Sequence, residues 1–265
     1  MRYLRMFALH LQDVFQNRGR AFIYFLMGLF NPLLFLLFWS GAIAEQKGDG
    51  SYWSLGEMSS YYLLVAVTMS FLIVHIDEDV AFHDIKEGVL SKYLLRPFSY
   101  FIFKFMEELP WRLVQGFFAL LVFIVFALFF HISFPFVSNP LEIGSAIIIC
   151  VLALCISYTL KMILGLTALW TTDYWGTLSI NEVALLVFGG IVMPFTFYPD
   201  LLAKIAYTLP LAYIIYFPVV ALQGKLSWVE IVRVITTQII WVGLLYGLFQ
   251  IIWKRGIKRF TAVGQ

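Results

Sequence analysis

The longest charged interval in the sequence is DEDVAFHDIKEGVLSKYLLRPFSYFIFKFMEELPWR, residues 77–112. Its density of Asp, Glu, Lys and Arg prevents it from crossing a bilayer. Within it, one set of side chains follows the i, i+3, i+4 spacing of a helix face: Val80, Ala81, Asp84, Ile85, Gly88, Val89 and Lys92. Pro97 ends this predicted helix, because the residue before a proline is pushed out of the helical region. We predict a short helix held beneath the membrane by a span on either side; the alternative is a solvated loop that merely joins two spans.

The rest of the chain is strongly apolar. Of its 265 residues, 62% are hydrophobic and 13% are charged, and the mean hydropathy is +0.87. This composition excludes a soluble domain and predicts an all-helical, polytopic membrane protein. Cys150 and Cys155 lie five positions apart in one apolar run, on different helix faces, so we expect two small core residues and neither a disulfide nor a metal pair.

The apolar runs predict six transmembrane helices, because a hydrocarbon core of roughly 30 Å needs about 20 apolar residues. The predicted spans are about 21–44, 58–76, 114–132, 143–170, 182–199 and 231–253. Residues 1–20 are too charged to span, and their periodicity predicts an amphipathic helix in the membrane interface. The residues assigned to this interface helix are Arg2, Arg5, Phe7, Leu11 and Phe15.

The distribution of Lys and Arg predicts the orientation. They concentrate before residue 21, in 77–112 and after residue 253, whereas the loops 45–57 and 133–142 together hold only Lys47. The positive-inside rule therefore places both termini and 77–112 in the cytoplasm. Residues 200–223 cannot form a further complete span in this arrangement, so we predict a re-entrant or interfacial helical hairpin on the outer side. The turn residues assigned to this outer hairpin are Gly190, Pro194, Pro199, Pro210 and Pro218.

Motifs of catalysis are not present. The sequence has no HExxH, GxSxG, CxxC or GxxxxGK[ST] pattern, and its four histidines are scattered. We therefore predict no catalytic residue, no metal site and no cofactor in this chain, and no nucleic-acid partner. Lys161 is the one strong charge deep in a predicted span. We expect it to reach the cytoplasmic head groups or to pair with Asp173 or Glu182, with a substrate contact as the alternative.

Three features, taken in order, resemble the permease subunits of type-2 ATP-binding-cassette exporters. They are the amphipathic N-terminal helix before the first span, the cytoplasmic helix from IKEG (85–88) to the leucine-rich turn LLRP (94–97), and a glycine-proline series late in the chain. That series is GGIVMPFTFYPDLLAKIAYTLP (189–210) followed by YFPVVALQGK (216–225). The resemblance covers essentially the whole chain and is closest to a bacterial subfamily of six-span permeases.

The resemblance implies that about 79–95 is a coupling helix, seated in a groove of a separate ATPase subunit that holds ATP and Mg. Aliphatic side chains would pack in the groove and charged ones would select the partner. The implied coupling residues are Val80, Asp84, Ile85, Lys86, Glu87, Gly88, Val89, Lys92, Arg96 and Pro97.

The resemblance also implies a dimer of permeases, either a homodimer or a related heterodimer, in the lipid of a bacterial inner (plasma) membrane. Substrate would pass along the permease–permease interface. The candidate lining residues are Asn31, Thr68, Ser70, Lys161, Met193 and Thr196. Two alternatives are a stand-alone secondary transporter or channel and, less favoured, a membrane-embedded enzyme; an ATPase encoded next to this chain would favour the exporter.

Overall fold

The computed structural model describes residues 2–45, 54–129, 139–171 and 174–260. Within these ranges every regular element is a helix, which confirms the all-helical class. The longer helices are α1 (Arg2–Gln16), α2 (Arg18–Glu45), α3 (Leu55–Leu72), α6 (Tyr100–Phe129), α7 (Pro140–Leu166), α8 (Trp175–Phe188) and α11 (Trp228–Ile257). The shorter ones are α4 (Ile76–Glu78), a π-helical segment (Asp79–Lys86), α5 (Leu90–Leu94), α9 (Asp200–Thr208) and α10 (Tyr216–Leu222), with 3₁₀ turns at Thr167–Leu169, Phe195–Phe197 and Pro210–Tyr213.

Four of the described helical stretches are long and apolar enough to cross a membrane. They are Gly56–Lys86, Tyr100–Val125, Pro140–Leu169 and Trp228–Ile257. The pair Asp200–Thr208 and Pro210–Leu222 makes a fifth if it is one span, but it bends by 73°. Such a bend suits a broken span as well as a re-entrant hairpin, so the outer hairpin stays a prediction. The described chain is thus a multi-pass membrane protein with four to five candidate spans, and the count of six stays a prediction.

Two helices, α1 and α2, cover the predicted interface helix and the predicted first span. α1 has its Val14 side chain buried, and the ring of His10 lies 5.9 Å from that of Phe103 on α6. Leu4 and Phe15 are exposed in this chain, and the position of α1 in the membrane interface stays a prediction. α2 covers the predicted first span with 28 residues, about 42 Å at 1.5 Å per residue.

The helix predicted over 182–199 has different bounds in the structure. α8 begins at Trp175 and ends at Phe188, after 14 residues. It ends there because Gly190 takes a φ of +78°, which is in the left-handed region, and Pro194 has no N–H to continue the helix. The following turn is tied to α3, since the hydroxyls of Tyr61 and Tyr62 donate to the carbonyl oxygens of residues 190 and 192 at 2.6 and 2.5 Å.

α3 is the centre of the bundle. Its residues from Met58 to Val67 are almost all buried, and it packs against α2, α6 and α10. A buried polar bond joins it to the end of α10, where the Gln223 Nε2 donates to the Ser60 hydroxyl at 2.7 Å. α3 begins at a capping box, in which Ser54 and Glu57 satisfy each other's backbone N–H. α3 is therefore in contact with helices that precede it and with helices that follow it along the chain.

Candidate functional site

The charged interval begins where α3 ends, and it does not form one straight helix. α4 leads into the π-helical segment Asp79–Lys86, a rare geometry that is often found at functional sites. Gly88 then turns the chain with a φ of +78°, and α5 is a separate short helix. The single helix expected over about 79–95 is therefore two pieces, because a left-handed residue cannot continue a right-handed helix.

Asp84 anchors the π-helical segment to α6. Its carboxylate lies 2.9 Å from the Lys104 ammonium and accepts a hydrogen bond from the Tyr100 hydroxyl at 2.5 Å. Lys104 is also 3.0 Å from Glu107, and its ammonium lies 5.4 Å from the centre of the Tyr93 ring. Both Asp84 and Lys104 are buried. Burial raises the pKa of the Tyr93 phenol above its ordinary value, so the ring beside Lys104 stays uncharged.

Lys161 anchors the start of the interval to α7. Its ammonium lies 2.8 Å from Asp77 Oδ2 and 2.5 Å from Glu182 Oε1 on α8. Lys161 and Asp77 are 3% and 2% exposed, whereas the Glu182 side chain is 55% exposed. The expected pair with Glu182 is confirmed, and the alternative partner Asp173 lies outside the described residues. The buried partner, Asp77, was not foreseen.

Arg112 anchors the end of α3 itself. Its Nη1 donates to the carbonyl oxygen of Ile73 at 2.5 Å, and its Nε lies 2.8 Å from Glu108. Glu108 in turn accepts the backbone N–H of His75 at 3.2 Å. Three buried cations from α6 and α7 thus hold the backbone and carboxylates of residues 73–84. We call this set, Asp77–Lys161, Asp84–Lys104 and Arg112 with Glu108, the buried clamp.

The predicted coupling residues divide into three groups, which are buried, half-buried and exposed. Val80, Asp84 and Ile85 point into this chain and are buried, so the expectation that they meet a partner directly does not fit this structure. Gly88 and Val89 are half-buried at the turn. The third group is exposed together with two apolar side chains that the sequence reading did not single out, Phe82 at 53% and Leu95 at 88%. We define the 82–96 surface as the exposed side chains Phe82, Lys86, Glu87, Lys92, Leu95 and Arg96, which Pro97 follows, also exposed.

Two of these exposed charges have partners within the described chain. The Lys86 ammonium donates to the carbonyl oxygen of Thr171 at 2.9 Å, which ties the segment to the turn after α7. Glu87 lies 2.6 Å from His83. Within the 82–96 surface, Phe82 and Arg96 are residue types enriched in protein interfaces, and Leu95 adds exposed apolar area. Lys86, Glu87 and Lys92 are types depleted there, and they suit the polar rim of such a contact.

The predicted lining residues do not converge on one place. The hydroxyls of Thr68 and Ser70 donate to carbonyl oxygens one turn back in α3, at 2.8 and 2.9 Å. Thr68 lines an apolar cavity of about 320 Å³ between α3, α6 and α7, whereas Thr196 lines a second cavity of about 610 Å³ beside α11. Met193 is half-buried and Lys161 belongs to the buried clamp. The side chain of Asn31 lies outside what the structure describes, although the helix continues through it.

Metal-ligating side chains do not gather in the parts of the chain that the structure describes. No group of three or more His, Cys, Asp or Glu there is placed to hold an ion. Cys150 and Cys155 are both free thiols and half-buried.

The structure therefore defines a multi-pass helical membrane protein in which a charged segment is fixed to the bundle by buried ion pairs. The sequence model of a family described as "ABC-2 family transporter protein" matches residues 29–264, which is most of the chain. The chain belongs to this family of membrane transport components, and the resemblance to type-2 permeases is confirmed. A search of curated proteins finds no match.

Proposed function

We propose that this chain is the permease subunit of an ATP-driven exporter and that its 82–96 surface receives a separate ATPase subunit. Family membership supports a transport role, and the sequence contains no phosphate-binding loop of its own. The observation that carries the proposal is the combination of an exposed 82–96 surface with a buried clamp directly behind it. A partner that moves this surface must also move the helices to which it is clamped.

The buried clamp supplies the mechanical link. Asp84 joins the segment to α6 through Lys104, and Asp77 joins it to α7 through Lys161. Breaking a buried ion pair by removing one partner costs about 3–5 kcal/mol, so the segment is expected to move as a unit with those helices. Closure of ATPase subunits on ATP and Mg would in this way be passed to the helices that surround the substrate.

The complete exporter would contain a second permease copy, identical or related, and two ATPase subunits. Exposed apolar side chains along α2, such as Leu37 and Phe38, and along α11, such as Ile239 and Leu244, support contacts with lipid or with that second copy. The basic N-terminal helix and C-terminal tail support a cytoplasmic location for both ends in a bacterial inner membrane. α1 would lie in the membrane interface and provide a second contact to the ATPase.

Co-purification tests the proposal. The tagged permease is purified from its native membrane in mild detergent, and every accompanying chain is identified with its stoichiometry. We expect an ATPase at one copy per permease. Leu95→Asp, on the 82–96 surface, should abolish this association, whereas the matched control Leu201→Asp, 73% exposed at the start of α9, should leave it unchanged.

Leu95 is a better test position than Gly88, because any side chain at a φ of +78° is strained whatever it contacts. Normal association of Leu95→Asp would mean that the ATPase contacts another surface. Recovery of the wild-type permease without any ATPase would favour the stand-alone transporter.

A further inference from the structure

The second cavity lies at the end of α3 opposite the buried clamp. Its volume of about 610 Å³ falls within the range of small-molecule sites. Its walls come from Thr196, from α9 and α10 with the turn between them, and from the start of α11. Lys225, which lines it, lies 3.3 Å from Glu57 in the first turn of α3, whereas Asp77 of the clamp follows the last turn. The cavity is therefore distinct from the 82–96 surface.

One wall of this cavity is aromatic. The rings of Tyr213 and Phe217 stack with centres 4.6 Å apart, and the Tyr207 ring lies 5.9 Å from that of Phe217. Tyr216 is buried and is fixed by Phe195, which stacks on it at 4.2 Å. A wall of packed rings of this kind accepts a planar or apolar part of a ligand with little loss of side-chain entropy.

Other residues that line the cavity carry charge. The Glu230 carboxylate is occupied by the capping box of α11, where its Oε2 accepts from the Ser227 N–H and hydroxyl at 2.8 and 2.7 Å. The Lys225 ammonium forms an ion pair with the Glu57 carboxylate. Arg233 follows Glu230 by three residues, is exposed, and has no ion-pair partner within 4.0 Å in the described parts of the chain. Its charge attracts Glu230, but beyond ion-pair distance. The guanidinium can therefore take an anion, and guanidinium groups bind phosphate and carboxylate oxygens in pairs.

We propose that this cavity binds the anionic head group of an amphiphile, with a phosphate ester on Arg233 and the adjoining apolar part against the aromatic wall. The proposal goes beyond the exporter function, because it concerns the permease alone and requires no ATPase. The shared chemistry is a phosphate ester with a net negative charge, which either an anionic membrane lipid or a water-soluble molecule can supply. Phosphatidylcholine lacks this net charge, because its choline cation balances its phosphate.

Calorimetric titration of the permease in phosphatidylcholine nanodiscs tests the proposal. The three probes are dihexanoyl phosphatidylglycerol, dihexanoyl phosphatidylcholine and glycerol phosphate, all below any micelle-forming concentration. We expect the phosphatidylglycerol to bind most tightly, and Arg233→Gln to weaken it by about tenfold or more, because a charge-assisted bond is lost. The matched control is Arg255→Gln, an exposed arginine in the last turn of the same helix, which should bind like the wild type.

The other outcomes are equally clear. Equal binding of the two lipids, or equal loss in Arg233→Gln and Arg255→Gln, would overturn the proposal. If glycerol phosphate binds as tightly as the lipid and depends on Arg233, the site serves water-soluble phosphate esters. If Arg233→Gln does not remain monodisperse, Arg233→Lys provides the second variant, and it should bind more weakly than the wild type and still prefer the anionic lipid. Failure of ATPase co-purification leaves this result untouched, so the two proposals fail separately.

Discussion

Removal of the Lys161 ammonium should be among the most destabilising single changes in this protein. Lys161→Met keeps the length of the side chain but leaves the Asp77 carboxylate, 2% exposed, without its cation. An uncompensated buried charge costs about 3–5 kcal/mol. Glu182, whose side chain is 55% exposed, can turn to solvent, so Glu182→Gln should cost no more than about 1 kcal/mol.

The double variant Asp77→Asn/Lys161→Met makes the reasoning refutable. Because it removes both charges, it should be more stable than Lys161→Met alone, since neutral replacement of a whole buried pair is often nearly free of cost. The assay is reversible unfolding of the purified permease in sodium dodecyl sulfate, followed by tryptophan fluorescence. Equal costs for Lys161→Met and Glu182→Gln, or additive costs in the double variant, would show that the buried pair is not what holds Asp77.

Two further changes test the packing of the same bundle in the same unfolding assay. Gly165→Ala would place a Cβ 2.9 Å from the carbonyl oxygen of Asp77, and only a movement of the backbone can relieve this contact. We expect it to lower the free energy of unfolding by about 1–3 kcal/mol. Gly144→Ala, on the same helix, meets nothing within 4 Å and should be neutral or stabilising. Gly190→Ala should lower the free energy of unfolding by more than about 1 kcal/mol, because the φ of this residue is +78°. Gly243→Ala, in open space in α11, should raise it by about 0.5–1 kcal/mol. A control variant that is less stable than its test variant would contradict the observed packing.

Local patterns in the sequence were sufficient for the helical class and for the special status of 77–112. Long apolar runs and the concentration of charge between them required no knowledge of tertiary contacts. The pair of Lys161 with Glu182 could be foreseen, because a cation deep in an apolar helix needs a nearby acid. The bounds of α8 could not be predicted from the sequence, because the glycines and prolines of 189–199 fit both a kinked span and a helix end.

The burial of Asp84 shows where pattern reading fails. The periodicity placed Asp84 on the same face as Val80 and Ile85, which is confirmed by their common burial. Its charge, however, suggested a solvated residue that selects a partner. Only the fold brings Lys104, on a later helix, to within 2.9 Å and turns that carboxylate into an internal anchor. A buried acid in an apolar stripe is a signal that such a cation exists, but spacing alone does not say which one.

The separation of the buried clamp from the 82–96 surface gives the exporter hypothesis a sharp internal test. Changes such as Leu95→Asp act on an exposed side chain, so they should lower ATPase association without lowering the stability of the permease. Changes such as Asp84→Asn act behind that surface, so they should lower stability and weaken the mechanical link while leaving the contact side chains in place.

If the segment couples ATP hydrolysis to transport, Asp84→Asn should retain the ATPase yet lose transport per ATP hydrolysed. If the segment were only a loop between spans, Leu95→Asp would change nothing, and Asp84→Asn would lower transport only in proportion to the folded protein that remains.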